Sequence, residues 1–199
     1  MEYPKYIEVD GQQFALDTDY RTALKCFEVI EDPDIDDVER SLAVIYLLLN
    51  DIPKVDLNKV MELLMKYLSC GKSKDQSQIA GVQKDMDLQA DENYIIASFA
   101  SDYKIDLSSV ESMHWWHFIT LLDGLSGDCV LNRVREIRTC DLKDYRGKAR
   151  ERMVKAKAQL ALPTKLTTED QKALDKFDAL FLSSENRLDD GDTLLDGGE

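Results

Sequence analysis

The stretch Ser112 to Phe118 reads SMHWWHF and holds both tryptophans and both histidines of the 199-residue chain. Neighbouring residues on an α-helix point about 100° apart, so Trp115 and Trp116 cannot both face one narrow core surface. Only one of the two tryptophans can face the core side of the helix, so another part of the molecule or a partner must cover the other one. What covers it decides how the surrounding helices pack.

The apolar residues around this stretch predict a helix capped by Ser108 or Ser109 and ending at about Asp123. On a helical wheel that takes Trp115 as its reference, the apolar side chains fall on one broad arc, which we predict faces the core: Val110, His114, Phe118, Ile119, Leu121, Leu122 and Leu125. The opposite arc is polar except for Met113 and Trp116. Those two residues are the anomaly of the helix.

Two interpretations of Trp116 stay open. A second helix of the same domain can pack on it, because tryptophan is usually largely buried. Alternatively, Met113 and Trp116 form an exposed patch for a partner protein, since aromatic residues and methionine are enriched at interface centres.

His114 and His117 lie three residues apart and could contact one metal ion, which leaves a metal-dependent enzyme as a remote alternative. However, His114 falls in the apolar arc, and Asp123 and Cys129 are the only nearby carboxylate and thiol. The four cysteines are widely spaced, without a CxxC pair, and none is an obvious partner for a catalytic histidine. We expect no metal, no cofactor and no catalytic residue, and thus not an enzyme.

Composition narrows the class of partner. The formal net charge of −14 opposes general attraction to nucleic acid or anionic lipid. The longest apolar run, Leu42 to Leu49, is far shorter than the roughly 20 residues that span a bilayer. No N-terminal run resembles a signal peptide, and the cysteine usage fits the reducing cytoplasm. Protein partners are expected, and a homo-oligomer is possible.

A basic segment interrupts this acidic chain. Between residues 133 and 157 there are ten Lys and Arg residues against four Asp and Glu residues. We expect the segment to attract an acidic surface, which can be the N-terminal half, the C-terminal tail or a partner. Arg146 and Arg150 are the basic residues that we predict for partner binding, together with Met113 and Trp116.

The fold class is predicted to be mainly α: a bundle of about seven or eight helices with a small N-terminal β-hairpin and a disordered acidic C-terminal tail. The hairpin turns at Asp10-Gly11, a dipeptide suited to a type I′ turn, which places Ile7 opposite Phe14. The predicted helices besides the central one are Thr18–Glu31, Asp36–Leu49, one capped by Asp56, Glu92–Asp102, Val130–Arg138, Leu142–Leu162 and Thr168–Leu182.

Four segments follow from this pattern. Residues 1–70 hold the hairpin and three helices, and residues 71–90 form a polar linker. Residues 91–182 form a C-terminal helical unit, and residues 183–199 form a flexible acidic tail.

A series of short motifs carries a family resemblance. It comprises Asn93-Tyr94-Ile95-Ile96, Tyr103 to Leu107, Met113 to Phe118 with its rare MHWW tetrapeptide, Leu121 to Leu125, Asp144-Tyr145-Arg146 and Ala161-Leu162-Pro163. The series resembles a family of tailed-phage and prophage proteins from siphophages of Gram-positive bacteria. In that family the gene lies between those for the major tail protein and the tape measure protein. Trp115, His114, Phe118 and Leu122 belong to this signature and to the predicted core.

The resemblance implies a role in building the phage tail. Such proteins are regarded as tail assembly chaperones, which coat the long helical tape measure protein, recruit tube subunits and leave before the tail is complete. The implied partners are therefore the tape measure protein and the major tail protein, and the implied location is the host cytoplasm during assembly. A structural component of the phage tail is the alternative.

Overall fold

A computed structural model describes residues 2–72 and 84–163 of the chain. Within these residues the elements, in chain order, are β1 (Tyr6–Val9), β2 (Gln12–Ala15), α1 (Tyr20–Ile30), α2 (Asp37–Leu49), α3 (Leu57–Leu68), α4 (Glu92–Tyr103), α5 (Trp115–Asp123), α6 (Val130–Thr139) and α7 (Gly147–Gln159). The prediction of a mainly α protein with an N-terminal hairpin is confirmed. The predicted helix Thr168–Leu182 and the predicted tail, residues 183–199, lie outside the described residues.

The hairpin has the predicted register. Asp10 and Gly11 have φ angles of 51° and 80°, as a type I′ turn requires, and Ile7 lies opposite Phe14. Ile7 and Val9 are buried while Glu8 is exposed, because successive side chains of a strand point to opposite faces. The buried face packs against α3.

Aspartates begin the first three helices. The side chains of Asp19, Asp36 and Asp56 each accept hydrogen bonds from first-turn amides, which would otherwise lack partners. The helix predicted from Thr18 begins two residues later, at Tyr20, and Asp17 does not cap it. The carboxylate of Asp17 instead accepts hydrogen bonds from the Asp19 amide and the Thr22 hydroxyl.

The predicted start of the central helix is also wrong. Asp106 accepts hydrogen bonds from the amide and hydroxyl of Ser108, and so forms a turn of its own instead of leaving Ser108 to cap a helix. The helix α5 begins only at Trp115, with His114 as its N-cap. Met113 therefore lies before the helix and not on its polar face.

The long helix predicted over residues 142–162 is interrupted. A short 3₁₀ helix covers Leu142–Asp144, Tyr145 and Arg146 are extended, and α7 begins at Gly147 with φ at 53°. The positive φ is one that glycine adopts without steric strain, which lets the chain change direction there.

One hydrophobic core includes residues from both sides of the predicted linker. Cys26 of α1, Leu48 of α2 and Leu64 of α3 belong to the same buried cluster as Phe99 of α4 and Trp115 of α5. The described residues up to Pro163 form one compact unit. The segment boundaries given by the sequence stay predictions, but the described parts of the first and third segments share this core.

A buried ion pair joins α6 to the start of α4. The Arg138 guanidinium donates two hydrogen bonds of 2.7 Å to the Asp91 carboxylate, and this interaction raises the pKa of Arg138. Arg138 Nε also donates to the Leu160 carbonyl at 2.6 Å, beyond the end of α7. One side chain therefore ties together three parts of the C-terminal half.

Replacing Arg138 with Met should destabilise the protein by about 3–5 kcal/mol, because the buried Asp91 carboxylate would lose its countercharge. Urea denaturation measures this free energy of unfolding. The double variant R138M/D91L should recover most of the loss. The exposed Lys143, paired loosely with Asp141 at 3.8 Å, provides the control, since K143M should leave stability nearly unchanged. Equal losses for R138M and K143M would contradict this assignment.

Candidate functional site

The two adjacent tryptophans both bind the end of α3. The Trp115 indole Nε1–H donates to the Leu68 carbonyl at 3.0 Å, and the Trp116 Nε1–H donates to the Tyr67 carbonyl at 2.9 Å. Carbonyls in the last turn of a helix have no partner within the helix. The WW dipeptide therefore completes α3 from a distant part of the chain.

A backbone bridge places the tryptophans. The Tyr20 amide donates to the Met113 carbonyl at 2.9 Å, and the Trp115 amide donates to the Thr18 carbonyl at 2.8 Å. This pairing is an antiparallel bridge between Asp19 and His114, the N-caps of α1 and α5. The starts of both helices are thus fixed against each other.

Both ring nitrogens of His114 are engaged. Nδ1 accepts a hydrogen bond from the Trp116 amide at 3.1 Å, and Nε2 lies 2.9 Å from the Pro4 carbonyl. The carbonyl can only accept, so we assign the proton to Nε2. Binding a metal through His114 would require one of these bonds to break.

The second histidine has a looser environment. His117 is exposed, and its Nδ1 lies 3.5 Å from the Tyr3 hydroxyl. Within the described residues, no three His, Cys, Asp or Glu side chains form a group that could hold a metal. The absence of a metal, a cofactor and a catalytic residue stays a prediction.

Aromatic rings cover one side of Trp116. Its ring stacks on Tyr67 at a centroid distance of 6.2 Å, and Tyr3 contacts it edge-on at 6.5 Å. Tyr3 in turn stacks on His114 at 4.9 Å. Trp116 is half-buried, so each of the two interpretations holds in part. Tyr67 at the end of α3 and Tyr3 cover one part of its ring, and the rest stays accessible.

A groove of about 400 Å³ begins at the accessible part of Trp116. We call it the β1 groove, and its lining residues are Pro4, Tyr6, Ile7, Glu8, Leu16, Leu63, Lys66, Tyr67, Gly71 and Trp116. Most of this lining is apolar. The groove brings Trp116 of the SMHWWHF stretch together with residues of β1 and α3.

The outer edge of β1 adds backbone groups to this surface. Because the turn has two residues, Val9 and Gln12 form a hydrogen-bonded pair. Hydrogen-bonded and non-hydrogen-bonded pairs then alternate along the hairpin. The Leu16 amide donates to the Lys5 carbonyl at 2.9 Å in the same alternation. The amides and carbonyls of Tyr6 and Glu8 therefore point away from β2.

Met113 does not share this surface. Its side chain is only 8% exposed, and its amide donates to the Asp19 carboxylate at 3.3 Å. The predicted patch that combined Met113 with Trp116 on one helix face was wrong, because the helix begins after Met113. A partner can contact Trp116 without contacting Met113.

The remaining signature residues lie in the core. Phe118 stacks between Tyr20 at 4.7 Å and Phe99 at 5.3 Å, and Trp115 packs on Phe118 at 5.8 Å. Leu122 is buried as well. These positions agree with the arc of the helical wheel.

The predicted basic partner-binding residues lie elsewhere. Arg146 caps α7 and Arg150 lies in its first turn; both are exposed, and neither lines the β1 groove. In the basic segment, Arg135 pairs with Asp85 and Arg138 pairs with Asp91. Within the described residues, the basic side chains of α7 form no ion pair.

Tyr67 is the site residue that sequence reasoning missed. It follows Leu64 by three positions and so falls on the same helix face, which was the available signal. Its ring is buried, and its hydroxyl has no hydrogen-bond partner among the described residues. Burial, with a smaller effect of Cys70, raises the pKa of Tyr67. Burial together with Asp17 raises the pKa of the nearby Cys26 thiol to about 12.

Comparison with known proteins gives one match. The family model described as "Bacteriophage Gp15 protein" matches residues 2–162. No curated protein and no solved structure matches the chain. Within the described residues, the structure contains no helix with the length and apolar character needed to cross a bilayer.

Trp116→Ala should destabilise the fold less than Trp115→Ala. Trp115 is fully buried, so its truncation should cost about 3–5 kcal/mol. Truncating the half-buried Trp116 should cost about 1–2 kcal/mol, mainly from its stacking and one hydrogen bond. Urea denaturation of both variants checks the order, and a larger loss for Trp116→Ala would show that Trp116 is a core residue.

Tyr67→Phe should leave stability unchanged or raise it by about 1 kcal/mol, because it removes a buried hydroxyl that has no partner. Tyr103→Phe is the matched control. The Tyr103 hydroxyl donates to the Leu121 carbonyl at 2.8 Å, and its removal should therefore destabilise the protein. The free energies of unfolding of the two variants should move in opposite directions or differ by about 1 kcal/mol. A clear loss for Tyr67→Phe would show that its hydroxyl has a partner after all.

Proposed function

The chain belongs to the Bacteriophage Gp15 protein family, and from that membership we propose that it is a phage tail morphogenesis factor, a tail assembly chaperone. Its partners are the tape measure protein, tail tube subunits or both. The motif resemblance supports this role, because proteins with the same motif series are regarded as tail assembly chaperones. The site of action is the host cytoplasm while the tail is being built.

The β1 groove is the observation that carries the binding role. It combines an apolar floor, which includes Ile7 and Leu63, with a half-buried tryptophan and a strand edge that has no pairing strand among the described residues. An extended segment of a partner can add to such an edge as a third strand and place alternate side chains in the groove. Backbone hydrogen bonds would supply affinity, and the apolar floor would supply selectivity.

The surface is small, which suits reversible binding. A groove of this size buries less area than a stable, permanent interface needs. Many copies along one long tape measure protein would still give strong overall binding, because many weak contacts of the same kind act together as avidity. Weak single contacts also allow the copies to leave before the tail is complete.

Co-expression with the tape measure protein and the major tail protein tests the proposal. The chaperone should co-purify with at least one of them and should raise the soluble fraction of the tape measure protein. Tyr6→Lys, in the groove, should lower the recovered partner about tenfold, because a charge would be placed on the apolar surface.

Tyr46→Lys is the matched control for that experiment. Tyr46 on α2 is 58% exposed, much like Tyr6 at 55%, but it does not line the β1 groove. Tyr46→Lys should leave the amount of recovered partner unchanged, and circular dichroism should show that both variants fold. Failure of the unmodified chain to bind or solubilise either tail protein would overturn the chaperone role.

Mass spectrometry of purified virions separates the chaperone from a structural tail component. A chaperone should be absent from mature particles, whereas a structural component should be present in a fixed ratio to the major tail protein.

A further inference from the structure

A second apolar groove lies between α2 and α3. Its volume is about 430 Å³, and we call it the α2–α3 groove; it is lined by Asp37, Val38, Ser41, Leu42, Ile45, Leu57, Asn58, Met61, Glu62 and Met65. Val38 is 69% exposed, which is unusual for a valine on an amphipathic helix, and Met65 is exposed as well. An apolar groove with exposed residues of this kind marks an interaction surface.

The charge at this groove is negative. Among the described residues, Asp37 and Glu62 are the charged side chains that line it. The chain that leads into it, residues 31–39, contains six acidic residues and no basic one. The first basic residue, Arg40, forms an ion pair with Asp37 at 2.5 Å and donates to the Asp32 and Ile35 carbonyls at 2.8 and 2.6 Å. Among the described residues, Glu62 is therefore the groove carboxylate without an ion pair.

The helix α7 has the opposite character. It contains five basic residues and one acidic residue, and none of its residues is buried. Its half-buried residues, including Met153 and Ala156, lie on one side, and the helix packs against α6. Arg150, Val154 and Lys155 are exposed, and Val154 is 40% accessible.

These two features do not meet within one chain. No residue of α7 lines the α2–α3 groove, and within the described residues the basic side chains of α7 form no ion pair. Among the described residues, an exposed valine flanked by positive charges and an apolar groove flanked by negative charges therefore lie on one chain without contacting each other.

We propose that α7 of one copy docks into the α2–α3 groove of a second copy. Val154 contacts the apolar lining near Val38, and Arg150 and Lys155 lie next to Asp37 and Glu62. The 13 residues of α7 extend about 20 Å, close to the length of α2. The helix is therefore long enough to extend over the groove, whose lining runs from Asp37 to Ile45 on α2 and from Leu57 to Met65 on α3.

The contact joins two different surfaces of the chain. Two copies can exchange the contact reciprocally and close as a two-fold dimer, or each contact can run in one direction so that assembly continues into a ring or an open chain. The area is small and the charges are exposed, so the association should be weak and should weaken further with salt. It does not depend on tail-protein binding, and the chain alone is enough to test it.

Sedimentation velocity of the full chain over a concentration series at low salt is the first measurement. The mean mass should rise with concentration and fall when salt is added. Glu62→Lys and Lys155→Glu should each weaken the association about tenfold, because each places like charges together. Both changes in one chain should restore it, since the charges are again opposite.

Two control variants separate this contact from a general effect of net charge. Glu28→Lys, at an exposed position on α1, makes the same charge change as Glu62→Lys but lies outside the groove and outside the acidic segment 31–39. Lys143→Glu is the matching control for Lys155→Glu, because Lys143 lies outside α7. Both controls should associate like the unmodified chain. A monomer at every concentration, equal effects of Glu28→Lys and Glu62→Lys, or no recovery in the double variant would each overturn the proposal.

Discussion

Two backbone hydrogen bonds hold the start of α1 against the start of α5, although these helices are separated by more than eighty residues of chain. The first amides of a helix have no acceptor within it. Here the amides of Tyr20 and Trp115 each find a carbonyl in the segment that precedes the other helix. The side chains of Asp19 and His114 then serve further first-turn amides of their own helices. Four amides are thus satisfied at one junction.

The position of the tryptophans depends on this junction. With His114 fixed as the N-cap, the next two side chains extend to the last carbonyls of α3. The positive end of one helix therefore adjoins the negative end of another, a favourable arrangement of helix dipoles. Gly71, which has φ of 71°, lies beside the Trp116 ring, and a Cβ there would be in ordinary van der Waals contact with the ring at 3.5 Å. The β1 groove begins where this packing stops.

The sequence predicted the elements whose signals are local. Asp10-Gly11 specifies its own turn, and the regular apolar spacing of α2 and α3 defines their faces. The start of α5 was missed because Ser108 forms an alternative turn with Asp106, and because histidine is an uncommon cap. The pairing of Arg138 with Asp91 was missed because the partners are 47 positions apart in a chain rich in both charges. The contact of Trp116 with Tyr67 depends on the same kind of long-range information.

The junction also constrains the order of events during synthesis. The Leu68 carbonyl at the end of α3 and the Tyr20 amide at the start of α1 receive hydrogen-bond partners from residues 113–116. At ordinary translation rates, the ribosome needs on the order of a few seconds to extend the chain from the end of α3 to Trp116. During that interval the hairpin and the first three helices lack the aromatic residues that complete their core. The nascent N-terminal half is therefore committed to its final packing late, when the second tryptophan leaves the ribosome.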